Sequence, residues 1–167
     1  LAGLMATPLQ PNLGLTGSGQ DVSFMRSALV VPGVLVQSDS DVSLNLTPAN
    51  RALANVLAII EKFFEDSKAK NHASFSELYN TLTGNENCIG MRKGLIPIYL
   101  AAVLRKYQKH IVIRDQFSEV IITPNLLNQI NDKPDSYTVK VEEWTDTKQS
   151  FIAPLDHTFA DYIYDAD

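Results

Sequence analysis

Six cations, one cysteine and three histidines are the side chains of this sequence whose types and spacing could do chemistry. Arg92, Lys93, Arg105, Lys106, Lys109 and Arg114 lie in a stretch that holds no acid. From Asp115 to Asp167 the balance reverses, with eleven acids against Lys133, Lys140 and Lys148. Blocks of one sign speak to partners and not to fold. The basic block suits a polyanion: a nucleic-acid backbone or the acidic surface of a protein. The acidic end of the same chain, folded back on that block, would account for the segregation with no outside partner.

Cys88 and His110 are the one pair with the makings of a nucleophile and its base. Cys88 falls in a loop just ahead of a helix start, where a thiolate is favoured. A small hydrolase built on them needs a pocket that brings the two groups within hydrogen-bond reach. A lone loop cysteine is more often inert. His72, His110 and His157 are scattered, and Cys88 has no second cysteine nearby, so no metal site is expected. Thr16-Gly-Ser-Gly-Gln20 is glycine-rich but lacks the spacing of a phosphate-binding loop and reads as a turn or helix cap. Glu142-Glu143 and the Asp165/Asp167 pair read as solvated charges. Neither catalytic residues nor a cofactor are expected.

The chain has 167 residues, is 45% hydrophobic and carries a formal net charge of −5. That suffices for one domain with a buried core, or a domain with a small appendage. One cysteine rules out an internal disulfide within this chain. No basic stretch followed by an apolar run opens it, and its longest apolar run, Leu95 to Leu104, is about half of what a membrane span needs. A soluble cytoplasmic chain is expected, with no membrane partner, and a fragment of a longer protein fits the absent initiator methionine.

Periodicity lays out the elements that would carry these residues. Residues 1–46 read as an irregular lead-in, with a short helix from a Ser18 cap to about Leu29 and two short strands, Val34–Gln37 and Val42–Leu46. Thr47-Pro48 reads as the cap of the clearest helix, running to about Lys68 with Leu53, Val56, Leu57, Ile60, Phe63 and Phe64 on one face. Ser74 and Glu77 spell a capping box for a second helix ending at Gly84. A third helix cannot begin much before Lys93, since Pro97 must lie in its first turn. Its middle, IPIYLAAVL, is apolar all round, which marks a helix buried on several sides. His110–Arg114 and Glu119–Ile122 follow as a β-hairpin around a four-residue loop. Thr123-Pro124 opens a helix to about Ile130, and Tyr137–Trp144 alternates as a strand. Leu155–Tyr164 suits a last amphipathic helix with Phe159 and Ile163 inward.

Three helices and then a hairpin is the order of a winged helix. The expected fold is therefore α+β: a winged-helix-like three-helix core at 47–122 with a β-hairpin wing, around which an N-terminal helix and a C-terminal strand–helix extension pack; by residues, a lead-in at 1–46, the winged-helix-like domain at 47–144 and an acidic extension at 145–167. A DNA-reading winged helix needs polar side chains on its third helix, and this one has them only at its ends. Backbone contact is the most that the pattern supports, and a sequence pI near 5.1 opposes even that.

The segments LGLTGSGQDVSFMRSAL (13–29), SFSELYNTLTG (74–84) and IGMRKGLIPIYLAAVLRKYQKHIVIRD (89–115) also resemble the C-terminal part of large bacterial P-loop ATPases, some linked to phage defence. Gly90, Arg92, Gly94 and Pro97 stand where that family's Gly-x-Arg-x-Gly-x-x-Pro pattern has them. The resemblance implies a winged-helix-like accessory module whose phosphate-binding loop would be upstream of this sequence. The expectation is a non-catalytic module that docks to another domain or protein through its buried helix and basic patch. The alternatives are a DNA-binding winged helix and the Cys88/His110 hydrolase.

Overall fold

A computed structural model of the chain describes residues 1–38, 41–70, 72–84, 89–107 and 110–142. Helix α3 (Arg51–Ala69) sets the frame. Leu53, Val56, Leu57, Ile60 and Phe64 recur at helical spacing and are buried, while Arg51, Asn55, Lys62 and Asp66 are exposed. Its cap is Asn50, not Thr47-Pro48. The Asn50 Oδ1 accepts the Leu53 N–H at 3.1 Å, whereas the Thr47 N–H donates upstream to Asn45 Oδ1 at 3.0 Å. An amide oxygen three residues ahead of Leu53 takes the first orphan donor, so the helix starts there.

Helix α4 (Phe75–Thr83) is capped by Ser74, whose Oγ accepts the Ser76 N–H at 3.3 Å. The expected box is half formed, because Glu77 faces Lys70 Nζ at 3.5 Å. A single turn of 3-10 helix, Lys93–Leu95, leads into α5 (Ile96–Tyr107), with Pro97 in the first helical turn as anticipated. Helix α5 is buried at Ile96, Pro97, from Tyr99 to Leu104, and at Tyr107. It is held to α3 by Tyr107, whose hydroxyl donates to Glu65 Oε1 at 2.6 Å, and by Lys106 against Glu61 at 2.7 Å. The Phe64 and Tyr107 rings meet at 5.4 Å.

Four strands form an antiparallel sheet in the order β3–β6–β4–β5: β3 (Ala73–Ser74), β4 (Ile111–Arg114), β5 (Glu119–Val120) and β6 (Thr138–Val141). The hairpin forms, with Ile113 opposite Val120 and Arg114 opposite Glu119. Its second strand stops at Val120, short of the expected Ile122, because Thr123 already caps α6 (Pro124–Asp132) by accepting the Leu126 N–H at 3.1 Å. The chain must leave the sheet to make that cap, and Ile121 is left 85% exposed. Strand β6, expected as part of an outer extension, is instead interior to the sheet, with Val139 and Val141 buried as their alternation requires.

Residues 1–46 do not stand apart. Helix α1 (Ala2–Met5), helix α2 (Gln20–Met25) with a π-turn at Arg26–Val30, and a hairpin of β1 (Leu35–Gln37) and β2 (Val42–Leu44) pack against the same core. Gly19 precedes α2 in place of the expected Ser18 cap. Leu4, Val22, Met25, Leu29, Val34 and Leu35 join the residues of α3 and α5 in one apolar cluster, and the Tyr99 hydroxyl donates to Ala28 O at 3.1 Å. A Cβ at Gly3 would lie 2.2 Å from Leu13 O, so the approach of α1 to the turn at 11–14 needs glycine there. The architecture is α+β. Among the described residues no helix is long and apolar enough to cross a membrane. Trp144, the expected helix at 155–164 and the acidic extension at 145–167 lie outside the described residues.

Candidate functional site

The cations singled out by type and spacing come apart when traced onto the fold. Arg92 is exposed just before the turn that opens α5. Beside it, Lys93 Nζ donates to Asp132 O at 3.4 Å and stands 6.0 Å from the centre of the Tyr79 ring. Arg105 and Lys106 are at the other end of the helix, about 20 Å away at the rise of an α-helix. Arg114 lies on β4, 4.0 Å from Glu119. Lys109 and Cys88 lie outside the described residues. His110 opens the sheet: its N–H donates to Tyr107 O at 2.7 Å and its carbonyl accepts the Glu142 N–H at 2.6 Å. Among the described residues no group of three or more His, Cys, Asp or Glu side chains could hold a metal ion.

Nor does α5 offer a face. Ile96, Tyr99, Leu100, Val103, Leu104 and Tyr107 are all buried, and each such side chain contributes about 1.5–3 kcal/mol through burial. Turning six of them outward would cost as much as the whole net stability of an ordinary domain, about 5–15 kcal/mol. The helix expected to anchor the module to something else is already enclosed by its own chain.

Arg105 shows how that enclosure is fastened. Its Nη1 donates to Ala6 O at 2.6 Å and to Leu4 O at 3.3 Å. Those carbonyls belong to the end of α1 and the residue after it, which have no partner within so short a helix. An arginine expected to meet a partner thus spends one nitrogen as a clasp. Lys106 sits with its Nζ 5.6 Å from the Tyr107 ring centre, paired with Glu61 and more than half exposed.

Next to these two cations the surface opens into a groove of about 920 Å³. Leu9, Val42, Leu44, Leu46 and Ala102 supply apolar walls, Arg105 and Lys106 line its α5 side, and Ser38 and Ser43 add polar groups, with Asp41 the one acid among its described lining. The Asn12 N–H donates to Gln37 Oε1 at 2.8 Å, which ties the residues around Pro8–Pro11 to the β1–β2 hairpin and holds the groove's sides together. None of these hairpin or lead-in residues was singled out from the sequence. A signal was present: Val42, Leu44 and Leu46 alternate with Ser43 and Asn45, which places three apolar side chains on one face of an extended chain.

A second cleft, about 620 Å³, lies between α1, α2, the start of α5 and α6, lined by residues such as Leu13, Phe24, Ile98 and Asn131. Asp21 is the one charged side chain among its described lining. None of the groups whose titration is shifted is among the described lining of either opening. Burial pushes the Tyr99 hydroxyl up; burial and Asp132 push the Tyr79 hydroxyl up; burial, then the bond to Glu65, does the same for Tyr107. Phenols held up in this way stay protonated at neutral pH and offer no base. What the groove can do is bind: apolar contact along its walls, and attraction for negative charge at its α5 side.

No protein-family model, no curated protein and no solved structure matches the chain.

Proposed function

We propose that this chain is a non-catalytic docking module that receives an acidic segment studded with apolar side chains in the groove beside Arg105 and Lys106. The observation that carries the reading is the meeting, in one open groove, of Leu9, Val42, Leu44 and Leu46 with the only two cations among its described lining residues. Apolar walls supply contact area, and the flanking charge selects the sign of the partner. A nucleic-acid backbone is the lesser reading, since phosphates gain nothing from the apolar walls and the basic residues are divided between the two ends of α5.

The same proposal takes the scaffold as a winged-helix plan, supported by the order of its elements. Helices α3, α4 and α5 follow one another with β3 between the first two, and β6 and β4 complete a sheet in the order β3–β6–β4. In that plan β4 and β6 take the places of the wing strands, with β5 and α6 inserted between them. The usual recognition helix is buried, so docking falls to the groove at its C-terminal end.

The test is chemical-shift mapping at low salt with two probes, a synthetic acidic peptide containing Phe and Leu, and a short DNA duplex. The peptide is expected to shift the amides of 41–46 and 102–106, with affinity that falls as salt is added and at least about tenfold on Lys106→Glu. Shifts produced by the duplex alone would transfer the module to nucleic acid.

A further inference from the structure

The groove reading leaves open where such an acidic, apolar segment would come from, and the sequence holds one. Residues 143–167 carry Glu143, Asp146, Asp156, Asp161, Asp165 and Asp167 against the single cation Lys148. Interleaved with these acids are Trp144, Phe151, Ile152, Leu155, Phe159 and Ile163. This is the composition that apolar walls flanked by two cations would accept. We propose that this segment docks in cis in the groove beside Arg105 and Lys106, and so competes with any outside partner for it. The inference rests on the groove reading above and deepens it from binding to regulation.

Two further observations favour this occupant. The segment begins close to the groove: Glu142, at the end of β6, donates its N–H to His110 O at 2.6 Å, and His110 bonds in turn to Tyr107, the residue after Lys106. Reach is no obstacle, since ten extended residues span up to about 33 Å and the segment has twenty-five. Attachment also replaces a bimolecular encounter by an intramolecular one, for which effective concentrations are on the order of millimolar. A contact whose dissociation constant lies below that concentration is then filled most of the time. An outside ligand must bind that much more tightly, or the acids must be neutralised, before the groove is free.

The experiment keeps the chain at full length. In a Cys88→Ser background, Ala160→Cys carries a nitroxide, and amide broadening is read across the described residues. Broadening at 41–46 and 102–106, reduced by 0.5 M salt and by Lys106→Glu, is the expected result. A mixture of spin-labelled chain with isotope-labelled, spin-free chain shows no such broadening if docking is in cis. Broadening there that persists in the mixture would assign the groove to a second copy and overturn the proposal. In parallel, the acidic peptide is titrated into wild type and into a variant with the six tail acids replaced by Asn or Gln. Binding at least about tenfold tighter to the neutralised variant is expected. Equal binding to both, with no broadening at the groove, overturns the cis docking and leaves the groove reading standing. No binding to the neutralised variant overturns both.

Discussion

Ser67 is the polar side chain that the core depends on most. It is fully buried, its hydroxyl donates to Phe64 O at 2.6 Å, and its oxygen accepts the Val141 N–H at 3.1 Å. Strand β3 bridges β6 at Val139 and Thr138, and at Val141 the side chain of a helix takes over as acceptor. Ser67→Ala would leave that buried N–H without its partner, which costs about 1–3 kcal/mol. Urea unfolding should show the loss as a lower midpoint with an unchanged slope; a change under about 0.5 kcal/mol would show that Val141 finds another acceptor. The sequence gives a hint of this residue. Ile60, Phe64 and Ser67 continue one helical stripe, and a serine on an apolar stripe signals a buried polar contact. What one sequence does not reveal is the other partner, because the bond to Val141 spans 74 positions.

At the scale of elements, local rules were legible wherever the bond that enforces them is short in sequence. The Thr123 cap of α6, the Ser74 cap of α4 and the place of Pro97 all follow from neighbours within one turn. The first cap of α3 misled because Asn50, three residues past the expected Thr47, takes the Leu53 N–H, while Asn45 engages Thr47. The place of β6 inside the sheet was illegible for a different reason: pairing across the chain is chosen by packing, not by local pattern. The loop between β4 and β5 yields a local prediction. Asp115 Oδ1 accepts the Phe117 and Ser118 N–H groups at 2.8 and 2.7 Å. Bonds from Ser118 and then Phe117 hold its carboxyl below the usual range. A carboxyl whose pKa is depressed on folding contributes its stabilisation above its unfolded value and loses it as pH falls through the folded one. An NMR titration should therefore show the Asp115 carboxyl protonating below the ordinary range of an aspartate. The Phe117 and Ser118 amide shifts should move with it. Amides that stay constant through that transition would dissociate the loop geometry from the charge.

Across the whole molecule, the arrangement turns on how residues 1–46 are fastened over α5. The sequence marked them as a lead-in because they lack a clean period, yet their Leu4, Met25 and Leu35 side chains complete the core around that helix. An apolar helix in need of cover, and an N-terminal helix packed on the core, were legible; that Arg105 fastens the closure was not, because those bonds join residues about a hundred positions apart. Arg105 is the polar clasp of that closure, and its substitution separates clasp from core. Arg105→Met keeps an unbranched stem against α5 and removes both bonds to Leu4 and Ala6 carbonyls. Arg105→Lys keeps the charge but loses the planar fork whose Nη1 makes those bonds. Hydrogen bonds from a charged donor contribute about 1.5–3 kcal/mol, which corresponds to roughly 10- to 100-fold in the local opening equilibrium. Amide exchange of residues 4–6 and 12–15 should accelerate by that factor in both variants, while the amides of α3 and α4 keep their protection. Uniform acceleration across α3, α4 and the N-terminal segment would mean that the clasp and the core open as one unit. No acceleration would mean that apolar packing alone closes the fold, leaving the Arg105 guanidinium wholly to the groove.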